Sequence, residues 1–438
     1  MRKRPIAIAL LATGSMALAA CSAGSLGSSD DSGSGGKVSI SYLVDNQQET
    51  VKVANQLVKD FTAKNPDITI KVETRPQGTD GDNLVKTRLS TGDMSDVFAY
   101  NSGSLFQALA PEKNLVPYDD SQNIGSLDKN FATTVTANGK VYGVPMGGFM
   151  AGAILYNKDV YAKLGLQAPK TWDDFIANGK KIKDSGVDPV VQTYGETWTS
   201  QLFVLGDFAN VLTADPQFAE KYTANQAKYA TTPAALAGFQ HLQEVHDLGY
   251  ANKDFASAKL TDGLRYLAQG KGAQYPILSA MLSQLIADNP GSENKIGLFA
   301  IPGTDAAKNN LTVWAPGGVY IPKTTTGAKL DAARKFTAFI ATADGCASQT
   351  TATQPTGPYA VKGCTLPDSV PQAVKDMQTY IDSGNSNLAL EFLSPVKGPA
   401  LEQICVEVGS GIRKADAGAK LYDEDVKKQA QQLGLSGW

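Results

Sequence analysis

Histidine is scarce in this chain: His241 and His246 are the only two in 438 residues. They stand five apart on one segment of helical pattern, which misses the i, i+4 spacing of helix-borne zinc ligands. Metal capture by clustered His, Asp or Glu is therefore not expected, and no cofactor is implied. The sequence holds no Gly-Xaa-Ser-Xaa-Gly elbow, no nucleotide loop and no four-cysteine metal cluster. Positive charge is not in excess: 40 Lys and Arg face 43 Asp and Glu, for a net charge of −3. The basic residues are spread along the chain and offer no face to neutralise phosphates, which argues against a nucleic-acid partner. Beyond the N-terminal segment no apolar run reaches the roughly 20 residues that span a hydrocarbon core.

What is present begins with an export signal over residues 1–20. Arg2, Lys3 and Arg4 form a positive n-region, Ile6 to Ala12 is an apolar core, and Leu18-Ala19-Ala20-Cys21 ends the segment with small residues before a cysteine. This pattern resembles the bacterial lipobox, which implies that Cys21 is diacylated and tethers the chain to the outer face of the membrane. Residues 22–36, almost wholly Ser, Gly, Ala and Asp, read as a flexible linker. The folded body is expected from Lys37. Export permits a disulfide, and Cys346 and Cys364 enclose a short loop rich in Thr, Gly and Pro, so a bridge is favoured over two free thiols. Cys405 lies in the apolar stretch Leu401 to Val408 and reads as a buried thiol.

The body of about 400 residues is long enough for two domains. Periodicity gives an α/β alternation: strands over Val38–Val44, Ile68–Thr74 and Asp96–Tyr100, with helices over Thr50–Lys64 and Asn83–Ser90 between them. Strand, helix, strand in short order implies a parallel sheet, whose ligands sit at the carboxyl ends of the strands. A second unit follows Gly143. It has strands at Ala151–Tyr156 and Val187–Gln192 and helices at Asp159–Leu164 and Thr171–Lys183, the latter capped by Thr171. Helices then dominate to Asn289, including Thr232–Leu248 with Thr232 as N-cap before Pro233. Lys295–Ala300 and Gly318–Ile321 read as further strands, followed by a helix over Lys329–Ala341 and a helical C-terminal region.

The run Gly139-Lys140-Val141-Tyr142-Gly143-Val144-Pro145, then Leu155-Tyr156-Asn157-Lys158-Asp159, Leu164-Gly165-Leu166 and Pro169-Lys170-Thr171-Trp172-Asp173-Asp174-Phe175, resembles the extracellular solute-binding proteins of the carbohydrate-importer class. Asn65 to Ile68, Gly92 to Val97, Leu115 to Tyr118, Gly270 to Ala273 and Ala332 to Ile340 agree in order. The resemblance implies a type II periplasmic-binding-protein-like fold: two lobes, each a mostly parallel sheet flanked by helices, with the ligand cleft between them. It further implies a monomer that closes on a small carbohydrate and delivers it to the permease subunits of an ATP-driven importer. Crossings between lobes are expected near Gly147–Phe149, near Leu298–Ile301 and near Asp344. That places 37–146 and 301–344 in the first lobe, and 147–300 and 345–438 in the second. Gly147 and Gly148 suit a hinge.

A pyranose presents apolar C–H faces and a rim of hydroxyls, so its site needs flat aromatic rings and Asp, Asn, Gln or Glu. Asp45, Asn46 and Gln47 follow the first strand and are the first lobe's hydroxyl partners. Tyr100 ends the third strand, with Asn101 and Ser102 after it. Trp198 stands in a polar stretch beyond the strand Val187–Gln192. Trp314 and Gly317 belong to a turn resembling the family's glycine-bearing loop into the cleft, where ligand contact and a structural role both stay open for Trp314. Phe149 lies on the first crossing, and Tyr275 follows Gly270 to Gln274. The resemblance implies a glycine and then a stacking tryptophan after that motif. Here Leu278-Ser279-Ala280 stands instead, so the ring is missing at Ala280; Ser279 joins the candidates and Tyr275 or Trp314 is the expected substitute. Trp172, at i and i+3 with Phe175, reads as helix packing, and the terminal Trp438 as mobile.

Two other classes share parts of this pattern. A secreted glycoside-active enzyme would need two carboxylates flanking one bond, and no acid here sits in a motif resembling a glycosidase family. An oligopeptide-binding protein of the same fold would call for charged groups to meet the termini, whereas the candidates are mainly aromatic and amide.

Overall fold

The computed structural model describes residues 37–438, so the export signal, Cys21 and the linker lie outside the described residues. β1 (Val38–Asp45) leads into α1 (Gln48–Lys64), β2 (Ile68–Arg75), α2 (Gly78–Thr91) and β3 (Val97–Tyr100). α1 buries Ala54, Leu57 and Phe61, one apolar stripe at helical spacing. α2 stops at Gly92, whose φ of 77° ends the helix in the left-handed conformation that glycine adopts freely. β4 (Gly143–Met146) and β5 (Met150–Asn157) follow, separated only by Gly147, Gly148 and Phe149. α3 (Trp172–Asp184) is capped by Thr171, whose hydroxyl accepts the Asp174 amide at 3.2 Å. The chain continues through β6 (Asp188–Val190), α4 (Pro233–Asp247), β7 (Gly272–Leu278), β8 (Ile296–Ala300), β9 (Leu311–Trp314) and β10 (Gly317–Tyr320). It ends with α5 (Gly327–Ile340), α6 (Ala343–Ala352), α7 (Gln372–Asp382), β11 (Ser386–Leu388), α8 (Leu401–Gly409) and α9 (Ala415–Gln432).

The first sheet has the order β2-β1-β3-β10-β4. β1 runs parallel to β2 and β3, and β10 runs antiparallel between β3 and β4. β1, β2, β3 and β4 therefore all finish at one edge, the edge at which β10 begins. α1 and α5 cover this sheet through Phe336, whose ring meets Tyr42 at 5.3 Å and Phe61 at 5.2 Å.

The second sheet has the order β11-β9-β5-β7-β6, with β8 also on β5. β9 pairs with Met150–Gly152 and β8 with Ala153–Asn157 along the same long strand, all antiparallel. This sheet is mixed where a mostly parallel one is expected, because β5 has antiparallel partners throughout. Its helical layer packs α4 and α9 through Phe239 and Tyr422, 6.1 Å apart. Trp172 is enclosed in it, with its ring 4.7 Å from Phe175 and 3.6 Å from His241.

Three expectations about the chain path are corrected. β9 hydrogen-bonds to β5, so residues 311–314 belong to the second sheet and the return to the first falls between Trp314 and Gly317, not near Leu298–Ile301. α6 packs on α1, with Lys64 paired to Asp344 at 2.6 Å, so the chain stays with the first sheet beyond Asp344. It rejoins the second at α7, where Asp376 accepts the Leu298 amide at 2.9 Å. Trp438 is docked: its indole nitrogen donates to the Thr223 carbonyl at 2.8 Å and its ring lies 4.2 Å from the Lys228 ammonium. Thr232 occupies the cap position before α4, but its side chain makes no capping bond. Cys346 and Cys364 are joined by a disulfide, and Cys405 is free and buried. Among the described residues no helix is long and apolar enough to cross a membrane.

Candidate ligand cleft

At the edge where β1 to β4 finish lies a cleft of about 390 Å³. Its walls follow from the topology. Asp45 and Gln47 come from the end of β1, Arg75 from the end of β2, Tyr100 and Asn101 from β3, Met146 from β4, and Gly317 from the start of β10. Glu49 and Thr50 of α1 add to one side, and Gly147, Gly148, Met150 and Thr356 close the floor. Asp45 turns the chain into α1 by accepting the Gln47 amide on Oδ1 at 2.9 Å. That turn brings the carboxylate and the Gln47 amide to the same rim. Beneath the floor the Tyr42 hydroxyl donates to the Met146 sulfur at 2.9 Å.

Arg75 is only 6% exposed and donates through Nη1 to the Pro76 carbonyl at 3.1 Å, while its Nε has no partner. Its guanidinium lies over the ring of Tyr100 at 5.4 Å. The Tyr100 hydroxyl is buried and unpaired as well. Burial, reinforced by the nearby Asp82 carboxylate, pushes that phenol well above its ordinary pKa, so it stays protonated. Buried donors and acceptors are normally paired, and two orphans stand beside this one cleft. Together with the carboxylates, Gln47 and Asn101, the cleft offers donors and acceptors suited to a rim of hydroxyls.

The structure thus brings together Asp45, Gln47, Tyr100, Asn101 and Gly317. Asn46 is exposed beside them, outside the lining. Ser102 is buried and its hydroxyl donates to the Pro316 carbonyl at 2.9 Å, which fixes the approach to β10. Other nominations lie outside the lining. Phe149 and Tyr275 are fully buried, and the Tyr275 hydroxyl is 2.5 Å from that of Thr193, so both rings face the core. Ser279 is also fully buried, with its oxygen taken by the Ala151 amide at 2.9 Å. Trp314 is buried at the end of β9 rather than in a turn: it donates to Glu391 at 2.9 Å, and Gly152 leaves room for its ring. Trp198 sits partly buried in the short helix Thr197–Gln201, outside the cleft lining.

Sequence reasoning missed Arg75, Met146 and Thr356. The rule that nominated Asp45 and Tyr100, position at the carboxyl end of a strand, applies equally to Arg75 at the end of β2 and Met146 at the end of β4. Thr356 arrives from a remote loop and carries no local signal.

A two-lobe α/β body with a polar cleft at the carboxyl edge of one sheet has the architecture in which such sheets hold ligands. Comparison with known proteins agrees: the family described as bacterial extracellular solute-binding protein matches residues 45–345, and the chain belongs to that family. Among its relatives, the multiple sugar-binding protein of Streptococcus mutans is 28% identical over 333 residues, 75% of this chain and 76% of that protein. The diacetylchitobiose binding protein DasA of Streptomyces coelicolor is 27% identical over 334 residues, 73% and 72% of the two chains. The apo form of RafE from Streptococcus pneumoniae superposes with a TM-score of 0.76 at 21% identity, covering 92% of this chain and 99% of that one. A chitin oligosaccharide binding protein gives 0.70 at 21% identity, over 91% and 100% of the chains. The fold is the type II binding-protein fold of these structures.

Proposed function

We propose that this chain is the substrate-binding protein of an ABC importer for oligosaccharides, anchored by a lipid on Cys21 at the outer face of the membrane. The observation that carries this reading is the convergence of Asp45, Gln47, Tyr100 and Asn101 on one cleft beside the two-glycine crossing. It is supported by relatives named for sugar and diacetylchitobiose binding. Carboxylates and amides read the hydroxyls, and aromatic groups meet the C–H faces. Tyr100 serves from the first lobe, and Trp198, outside the lining in the structure described, is the second lobe's candidate to join it on closure.

The two lobes close about Gly147 and Gly148, and the closed form of the monomer engages the permease. The role is capture without chemistry. Linker residues 22–36 hold the body at high effective concentration near the transporter while leaving it free to turn.

The test is calorimetry and thermal shift of the body from Lys37 onward against mono-, di- and oligosaccharides, with dipeptides and metal ions as controls. Saccharides are expected to bind and to raise the melting temperature. A shift with dipeptides alone overturns the reading, and saccharide cleavage during incubation replaces it with a hydrolase.

A further inference from the structure

Thr356, which lines the cleft, lies in a segment closed by the disulfide between Cys346 and Cys364, 18 residues apart. One face of this segment grips the crossing between β4 and β5. The Gly147 amide donates to Gln349 Oε1 at 2.8 Å, the Phe149 amide donates to the Pro358 carbonyl at 2.8 Å, and Gly148 pairs with Tyr359 in an antiparallel bridge. The fit leaves no slack. A Cβ on Gly357 would come within 1.8 Å of the Phe149 carbonyl oxygen, and one on Gly148 within 2.5 Å of the Gly357 oxygen. The other face is stitched to the first lobe, where the Asp128 amide donates to the Ala360 carbonyl at 2.9 Å and the Lys362 amide to that of Ser126 at 2.7 Å. The Tyr359 and Thr350 hydroxyls, 2.7 Å apart, tie the segment back onto α6.

Gly147 has a φ of 97°, a conformation open to glycine and costly for most residues. Such a residue samples many states unless its amide is held. Gln349 is 4% exposed and supplies the acceptor that holds it. The same segment carries Thr356 into the cleft floor.

We propose that Gln349 is a positioning residue for ligand binding, and that the disulfide-closed segment Cys346–Cys364 sets the conformation of the Gly147–Phe149 crossing. This rests on the reading of that crossing as the hinge of a saccharide-binding cleft. The held conformation of the crossing is taken to be the one the closed form uses, so fixing it beforehand lowers the ordering cost of closure and loosening it weakens binding without touching the ligand.

The test is amide hydrogen exchange at residue resolution on the purified protein, with calorimetry against raffinose and diacetylchitobiose as probes. Gln349→Met is expected to raise exchange of the Gly147 amide at least tenfold and to weaken saccharide binding at least threefold, with a fall in melting temperature too small to unfold the protein. Gln349→Glu, which keeps an acceptor oxygen in place, restores both. Reduction of the disulfide raises exchange at Gly147 and Phe149 together, and gives the reading should Gln349→Met fail to fold. Unchanged exchange, or raised exchange with unchanged affinity, overturns the proposal. If neither probe binds the wild-type protein the saccharide reading loses its support, and the exchange arm still decides whether the segment holds the crossing.

Discussion

The guanidinium of Arg75 lies 5.4 Å from the ring of Tyr100, and each residue carries a buried polar atom without a partner. The two flank β1 from the ends of β2 and β3, so both orphans stand at the same cleft. Replacing Arg75 by Met is expected to weaken saccharide binding at least tenfold, since a charge-assisted hydrogen bond to a ligand is worth about 1.5–3 kcal/mol. Tyr100→Phe is expected to lose affinity while the melting temperature holds or rises, because the hydroxyl it removes satisfies no group in the free protein. Calorimetry and thermal melts on the two variants separate these effects, and an unaltered affinity in both removes the pair from the site.

Tyr275 gives the opposite pattern. Its hydroxyl is committed to Thr193 in the core, so Tyr275→Phe is expected to cost about 1 kcal/mol of stability and to leave saccharide affinity as it was. Denaturant unfolding beside calorimetry checks this, and a binding loss at full stability returns Tyr275 to the cleft.

Acid should act on His241. Burial beneath Trp172 lowers its pKa from 6.5 to about 3, so the unfolded chain takes up a proton below about pH 6.5 that the folded protein refuses until about pH 3. Stability from this group is full above pH 6.5 and drains as pH falls through that window. Asp207, buried with its pKa well above the ordinary carboxylate range, has the contrary sign: burial disfavours its charged form, and that cost fades as pH falls towards 3.8. His241→Phe is expected to flatten the acid limb of a plot of melting temperature against pH. Asp207→Asn, which retains an acceptor for Asn210, should raise the melting temperature at pH 7. An unaltered acid limb in His241→Phe rules the imidazole out as the source.

Cys405 is fully buried, and burial pushes its thiol far above the ordinary range. The thiolate is the reactive species, so iodoacetamide at pH 8 should leave Cys405 unmodified in the native protein and label it on unfolding. Mass spectrometry reads this directly, and rapid native labelling would mean that the α8 layer opens readily.

The first lobe was legible because its strands and helices alternate cleanly, and the expected ends of β1, β2 and β3 fall within a residue of those observed. β7 and β9 were not. Gly272–Leu278 is buried on both faces and so shows no alternation. It also contains Pro276, which argues against a strand; β6 accompanies only its first half, through Gly272 and Gln274. Leu311–Trp314 is four buried residues long, too short to show a period. The cleft residues found in advance sit at the ends of recognised strands. Of those that lie outside it, Tyr275 and Ser279 rest on likeness alone, in a segment that is β7 and the short helical turn after it. Nothing in the sequence marks Arg75 as buried; only packing shows that it is.

The body from residue 37 onward holds three cysteines, two closed in the disulfide and the third sealed in the core. A thiol introduced at Asn46, exposed beside the cleft, would be the one site that a dye could reach. The same packing that keeps Cys405 inert therefore makes the body a chassis for an optical ligand sensor, labelled once and without first stripping out native cysteines.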